Sequence, residues 1–137
     1  MDFDAVTADT PDFDPQTYVR ILIAIAKADK DNGAPEYRYV RQKAQSLSLD
    51  FDRYWEATEK DFQIDKQTVS RLTAMTILKD AIVLASMDRN FSLPERQRVY
   101  AYAEKLDIAR KDVDELEKLV DAYRRLNHQW RALVATS

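Results

Sequence analysis

A single glycine, Gly33, among 137 residues is the feature that most limits what this chain can fold into. Glycine averages about 7% of protein sequences and supplies the backbone geometry that tight β-hairpin turns require. Because turn sites are so scarce and no strand-like alternation competes with the helical spacings, an all-β fold is disfavoured and an all-α fold is predicted. Gly33 itself lies in a short polar loop, where we expect a special backbone geometry to be most useful.

The cysteine and histidine content limits which metal sites and catalytic groups the chain can contain. The chain has no cysteine, which excludes disulfides, thiolate zinc sites, Fe–S clusters and cysteine nucleophiles, and its one histidine excludes a histidine-rich metal cage. Any bound metal would therefore be held by oxygen ligands. No apolar run approaches the ~18 residues of a membrane span, so no transmembrane segment is predicted, whereas peripheral membrane association stays open. The acidic N-terminus lacks a basic signal region, and a cytoplasmic location is expected.

Helix start and stop signals divide the chain into about six or seven helices of one compact bundle. Five aspartates and no basic residue precede Arg20, so residues 1–13 are predicted to form an acidic N-terminal arm. The single helical domain then covers residues 14–137. Its predicted helices span about 15–28, a stretch opened by Pro35, about 50–61, about 65–87, a stretch opened by Ser92, and a long C-terminal helix over about 111–134.

An internal repeat appears when the chain is shifted by 59 residues against itself. Eight of 28 aligned pairs are identical, and the matched loops both contain an aspartate followed by Pro-Glu. We interpret the chain as two duplicated helix–loop–helix units, about 15–58 and 74–119, related by a pseudo-twofold axis.

The repeated loops carry the oxygen ligands that Ca²⁺ or Mg²⁺ prefers. The candidate metal ligands are Asp29, Asp31 and Glu36 in the first loop, and Asp88, Asn90 and Glu95 in the second. Their spacing is not that of an EF-hand, which requires glycine at position 6 and glutamate at position 12. A purely structural role is the alternative, because Ser92-x-x-Glu95 is a capping box that satisfies free backbone N–H groups. Both interpretations stay open at this point.

Other residues are given structural roles. His128 is alone on the last helix, so a surface or packing position is predicted, and Asp80 beside Lys79 is interpreted as the solvent side of a buried helix. The chain has no glycine-rich phosphate loop and no nucleophile–base set, so no enzymatic activity is predicted; a hydrolase using carboxylates alone is a minor alternative. Six aromatic residues at helical spacings are predicted to be core: Tyr18, Tyr37, Trp55, Tyr102, Tyr123 and Trp130.

Protein partners are favoured over nucleic acid. Basic residues are interspersed with acids, which is typical of a solvated surface rather than a nucleic-acid interface. On the last helix, Trp130, Leu133 and Val134 exceed what a single domain needs, so a homodimer seam is one prediction.

The repeated unit resembles the TerB-like tellurite-resistance family. The resemblance rests on Ile25–Asp29 through Pro35-Glu36, on Leu84–Asp88 through Pro94-Glu95, and on the Leu106-Asp107-Ile108 step into an acidic helix, and it covers about residues 15–123. It implies an all-helical domain of duplicated units, also found in a DnaJ-like membrane co-chaperone, with a role in resistance to tellurite and other chemical stress and no established enzymatic activity.

The resemblance also implies a divalent metal site. It assigns the paired acids of the family to Asp29, Glu36, Asp88 and Glu95, although Lys30 and Arg89 stand where the family has glycine. The alternative function is a protein–protein interaction scaffold in which the acidic loop residues serve only as helix caps.

Overall fold

The computed structural model describes residue 3 and residues 6–28, 33–59, 69–87 and 91–135. Within these ranges the chain forms six α-helices and no strand, so the all-α prediction is confirmed. None of these helices is long and apolar enough to cross a membrane. The helices are α1 (Pro15–Ala28), α2 (Ala34–Ser46), α3 (Phe51–Ala57), α4 (Arg71–Ala85), α5 (Leu93–Lys105) and α6 (Arg110–Ala135).

Helices α1 and α4 pack against each other at the centre of the bundle. Each is apolar around most of its circumference, and a helix of that kind must be covered on all sides to leave water. From Ile21 to Ala26 every residue of α1 is buried, and α4 buries Ile77, Leu78 and Ile82 completely or nearly so. Helices α2 and α3 cover α1, while α5 and α6 cover α4.

Helices α2 and α5 share their length and their end motifs. They begin and end 59 residues apart, and each carries a proline in its first turn. Both also end in the same backbone motif: Ser48 and Asp107 each have a φ of 60°, and the next residue donates back to Ala44 or Ala103. This left-handed position usually holds glycine. Because the one glycine lies elsewhere, serine and aspartate occupy it here.

Three local predictions are wrong. Gly33 is the extended N-cap of α2, with φ −108° and ψ −176°, a conformation that any residue adopts. Helix α4 begins at Arg71 rather than near residue 65, because Ser70 is its N-cap and accepts from the Thr73 N–H at 3.1 Å. Helix α3 ends at Ala57 rather than near residue 61, since Thr58 is already extended. Residues 60–68 lie outside the described part of the chain.

Apolar residues and backbone hydrogen bonds tie the N-terminal segment to the body. Phe13 is buried, and Phe3 and Val6 pack against the core. The Asp14 N–H donates to Thr73 Oγ1 at 3.0 Å, and the Ser70 hydroxyl donates to the Asp12 carbonyl. The segment therefore reaches the start of α4 and, through Phe3, the middle of α6.

Candidate functional site

Two of the six predicted metal ligands, Glu36 and Glu95, lie in the described residues. Each occupies the third position of its helix, α2 or α5, and each is half-buried. The other four, Asp29, Asp31, Asp88 and Asn90, lie outside the residues that the structure describes.

Both glutamates are engaged as helix caps. Glu36 Oε2 accepts from the Gly33 N–H at 3.0 Å, and Glu95 Oε1 accepts from the Ser92 N–H at 3.2 Å and the Ser92 hydroxyl at 2.7 Å. The Ser92 hydroxyl in turn accepts from the Glu95 N–H at 3.3 Å, which completes a reciprocal capping box. Gly33 has no side chain, so the first box contains only its glutamate half.

The two caps lie at the same cleft. Glu36 and Glu95 both line a narrow cleft of about 20 Å³, which is walled by α1 and α4 and bordered by Arg98 and Tyr102. Among the described residues, no three carboxylate or histidine side chains are grouped so that they could hold a metal ion. The described part of the site is thus a pair of capping glutamates that line one cleft.

Helix α6 presents a different kind of surface. It buries only Val113, Leu116 and Val120, all in its first three turns. Beyond them Leu126, Trp130 and Leu133 are 61%, 63% and 69% exposed. The exposed apolar residues Leu119, Tyr123, Leu126, Trp130 and Leu133, which we call the α6 stripe, form one continuous line along the helix.

The α6 stripe has the spacing of a coiled-coil seam. Its members alternate in steps of four and three residues, which is the a/d pattern of a heptad repeat. The positions that flank such a seam hold Ala122, Asn127, Gln129 and Val134, none of which is charged. A second helix could therefore lie along the stripe without placing like charges at the edges of the seam.

Polar contacts fix α6 to the body as far along the helix as Arg124. Arg96 of α5 donates to both carboxylate oxygens of Glu117, at 2.5 and 3.3 Å, and this hydrogen bond raises the pKa of Arg96 above its ordinary value. Tyr100 donates to Asp114, which raises the pKa of the Tyr100 hydroxyl. Arg124 donates to Ser86 Oγ at 2.8 Å and to the Val83 carbonyl at 3.3 Å. The stripe is consequently carried on an anchored helix.

The interpretation of Asp80 as a solvent-facing residue is wrong. Asp80 is fully buried in the middle of α4, where its Oδ2 accepts from the Tyr18 hydroxyl and its Oδ1 from the Tyr39 hydroxyl, both at 2.5 Å. Lys79 Nζ is 3.8 Å from Oδ1 and also donates to the Phe3 carbonyl at 3.0 Å. An aspartate between apolar stretches of one helix is the sequence signal for a buried polar network. The two tyrosines that complete this network lie on α1 and α2, so no local sequence pattern links them to Asp80.

The predicted aromatic core is only partly observed. Tyr18 is buried, and Tyr37 and Trp55 stack edge-on at the α2–α3 contact. Tyr123 and Trp130 are 37% and 63% exposed, because the body ends before α6 does. His128 is exposed, as predicted.

Comparison with known proteins assigns no family. The chain gave no match to a family model, to a curated protein or to a solved structure.

Proposed function

We propose that this chain is a non-enzymatic protein-interaction domain that pairs with a second copy of itself through the α6 stripe. The observation that carries the proposal is the exposure of five large apolar side chains in one line on an anchored helix. Monomeric proteins seldom leave a continuous apolar patch of more than a few hundred Å² in water, so such a patch marks a binding surface.

The seam spacing favours a helical partner. Side chains spaced by four and three residues pack into the holes between the side chains of a second helix with the same spacing. Two identical seams can therefore pack against each other symmetrically. The uncharged flanks at Ala122, Asn127, Gln129 and Val134 remove the repulsion that usually separates identical surfaces.

The available area is also sufficient for pairing. The α6 stripe together with Val134 offers on the order of 600 Å² of exposed apolar surface per copy, so a symmetric pair would bury about 1,200 Å². That value is at the lower end of the range for specific interfaces. We therefore expect a reversible dimer rather than a permanent one.

The capping role of the loop glutamates supports a scaffold rather than a catalyst. Carboxylate oxygens of Glu36 and Glu95 both accept hydrogen bonds from backbone N–H groups at helix N-termini. This capping role supports an interaction scaffold, in which the acidic loop residues stabilise the fold and partners bind at another surface.

A pair of charge substitutions on one turn of α6 tests the proposal. Leu126→Glu places a carboxylate in the seam, whereas His128→Glu places the same group about 200° around the helix, on the opposite face. In sedimentation equilibrium we expect the first variant to be monomeric and the second to dimerise like the wild-type chain. Equal association by both variants would contradict the proposal, and circular dichroism on each would show that the helix is intact.

A second candidate function is a TerB-like domain that binds a divalent metal ion and serves in resistance to tellurite or other chemical stress. The observation in its favour is that Glu36 and Glu95 line the same cleft. Isothermal titration with Ca²⁺, Mg²⁺, Mn²⁺ and Zn²⁺ should then give heat that the double variant Asp29→Ala, Asp88→Ala abolishes. Absence of heat in the wild-type chain would refute the metal site and leave the α6 proposal unaffected.

A further inference from the structure

Charge is segregated along α6. The half up to Asp121, which is packed on the body, contains five acidic residues and three basic ones (Arg110, Lys111 and Lys118), so its net charge is −2. The half beyond Asp121 contains Arg124, Arg125 and Arg131 and no acid. Within the described residues, neither Arg125 nor Arg131 forms an ion pair, so their charges are available to a partner.

We infer that the two copies pair with their α6 helices antiparallel, an inference that rests on the proposed self-association. An antiparallel pair lays the basic half of each α6 along the acidic half of the other. A parallel pair would instead set the +3 half of one helix beside the +3 half of the other, and the −2 half beside the −2 half. Since the seam itself fits either direction, this charge pattern decides between them.

Antiparallel packing also fixes which side chains meet. In such a pair an a position of one helix packs on a d position of the other, so Trp130 packs on Leu119 of the second copy and Tyr123 packs on Leu126 of the second copy. This register engages all four of these exposed side chains. It places the twofold axis between Tyr123 and Leu126, so that Arg131 lies level with Lys118 of the second copy, between Glu117 and Asp121 of that copy. Pairing Trp130 with Leu126 instead would overlap the helices only over residues 121–135 and would set the two basic halves against each other.

The lack of cysteine makes the orientation directly measurable. Leu119→Cys and Trp130→Cys are prepared as separate single variants and oxidised mildly, alone and mixed, at concentrations where the wild-type chain is dimeric. A disulfide forms only where two Cα atoms approach to about 4.4–6.8 Å. We expect a cross-linked dimer in the mixture and none with either variant alone. The pair Tyr123→Cys and Leu126→Cys repeats the test with Trp130 in place.

The possible outcomes separate the two proposals. Cross-linking of each variant with itself overturns the antiparallel orientation, and a dimer in which neither mixed pair cross-links overturns the antiparallel pairing in this register. Both outcomes leave self-association standing. A wild-type chain that stays monomeric overturns self-association itself. Salt gives an independent measurement, because attraction between opposite charges is screened: the dimer dissociation constant should rise several-fold between about 0.05 and 0.5 M NaCl, whereas a fall would contradict the antiparallel arrangement.

Discussion

Replacing Asp80 with asparagine tests how the buried polar network stabilises the fold. The substitution keeps the size of the side chain but removes the charge to which the Tyr18 and Tyr39 hydroxyls donate. A hydrogen bond to a charged group contributes about 1.5–3 kcal/mol, compared with about 0.5–1.5 kcal/mol for a neutral pair. Lys79, which is 5% exposed, also loses its nearby carboxylate. We expect the free energy of unfolding to fall by about 2–4 kcal/mol.

Urea denaturation followed by circular dichroism measures this loss, and thermal melts should show it as a drop of roughly 10 °C in Tm. Asp9→Asn is the matched control, because Asp9 is exposed and has no hydrogen-bond partner for its side chain among the described residues; its effect should stay within about 0.5 kcal/mol. The double variant Tyr39→Phe, Asp80→Asn should lose less than the two single losses added together, since the two residues share one bond. An Asp80→Asn effect no larger than that of the control would refute the reasoning.

Three smaller perturbations concern the helix ends and the α5–α6 contact. Ser92→Ala should lower the free energy of unfolding by about 1 kcal/mol in urea denaturation, because it removes the hydroxyl that caps α5. Ser48→Gly should raise it by about 1 kcal/mol, because Ser48 holds a φ of 60° that costs a side-chain-bearing residue more than glycine. Tyr100→Phe should lose less stability than the wild-type chain above pH 10 in a pH series of thermal melts. The bond to Asp114 raises the Tyr100 pKa, so its contribution is present below the ordinary tyrosine pKa and is lost as pH rises through the raised value.

Each of these perturbations has its own contrary result. Ser46→Gly, within the last turn of α2, should destabilise by about 0.5–1 kcal/mol, so stabilisation by both glycine variants would remove the argument from φ at Ser48. A Ser92→Ala variant as stable as the wild-type chain would mean that the α5 cap is satisfied without the hydroxyl. Identical alkaline melting of Tyr100→Phe and the wild-type chain would argue against the bond to Asp114.

Elements with strong local signals could be predicted from the sequence. Proline and capping residues mark the starts of α1, α2 and α5, and the repeat of 59 residues matches the offset between α2 and α5. The start of α4 differs from the prediction because the apolar run has helical periodicity but no sharp boundary. The Ser70 hydroxyl, which caps the helix, fixes where α4 begins. Local patterns therefore predict which segments are helical more reliably than where they end.

The candidate sites depend on tertiary contacts that no local pattern contains. The capping role of Glu95 follows from Ser92 three residues earlier, and it was available from sequence. The burial of Asp80 could not be predicted from the sequence, because it depends on tyrosines of α1 and α2 that donate hydrogen bonds to it. Likewise, the seam spacing of α6 is visible in the sequence, but the exposure of Trp130 is decided by where the packed body stops.

The mass of the wild-type chain in solution as a function of concentration tests the central claim most directly. Multi-angle light scattering should give 16.0 kDa at the lowest concentration and approach twice that mass as the concentration rises through about 10 µM. A mass that stays at that of one chain over about a hundredfold range around this value would contradict pairing through the α6 stripe.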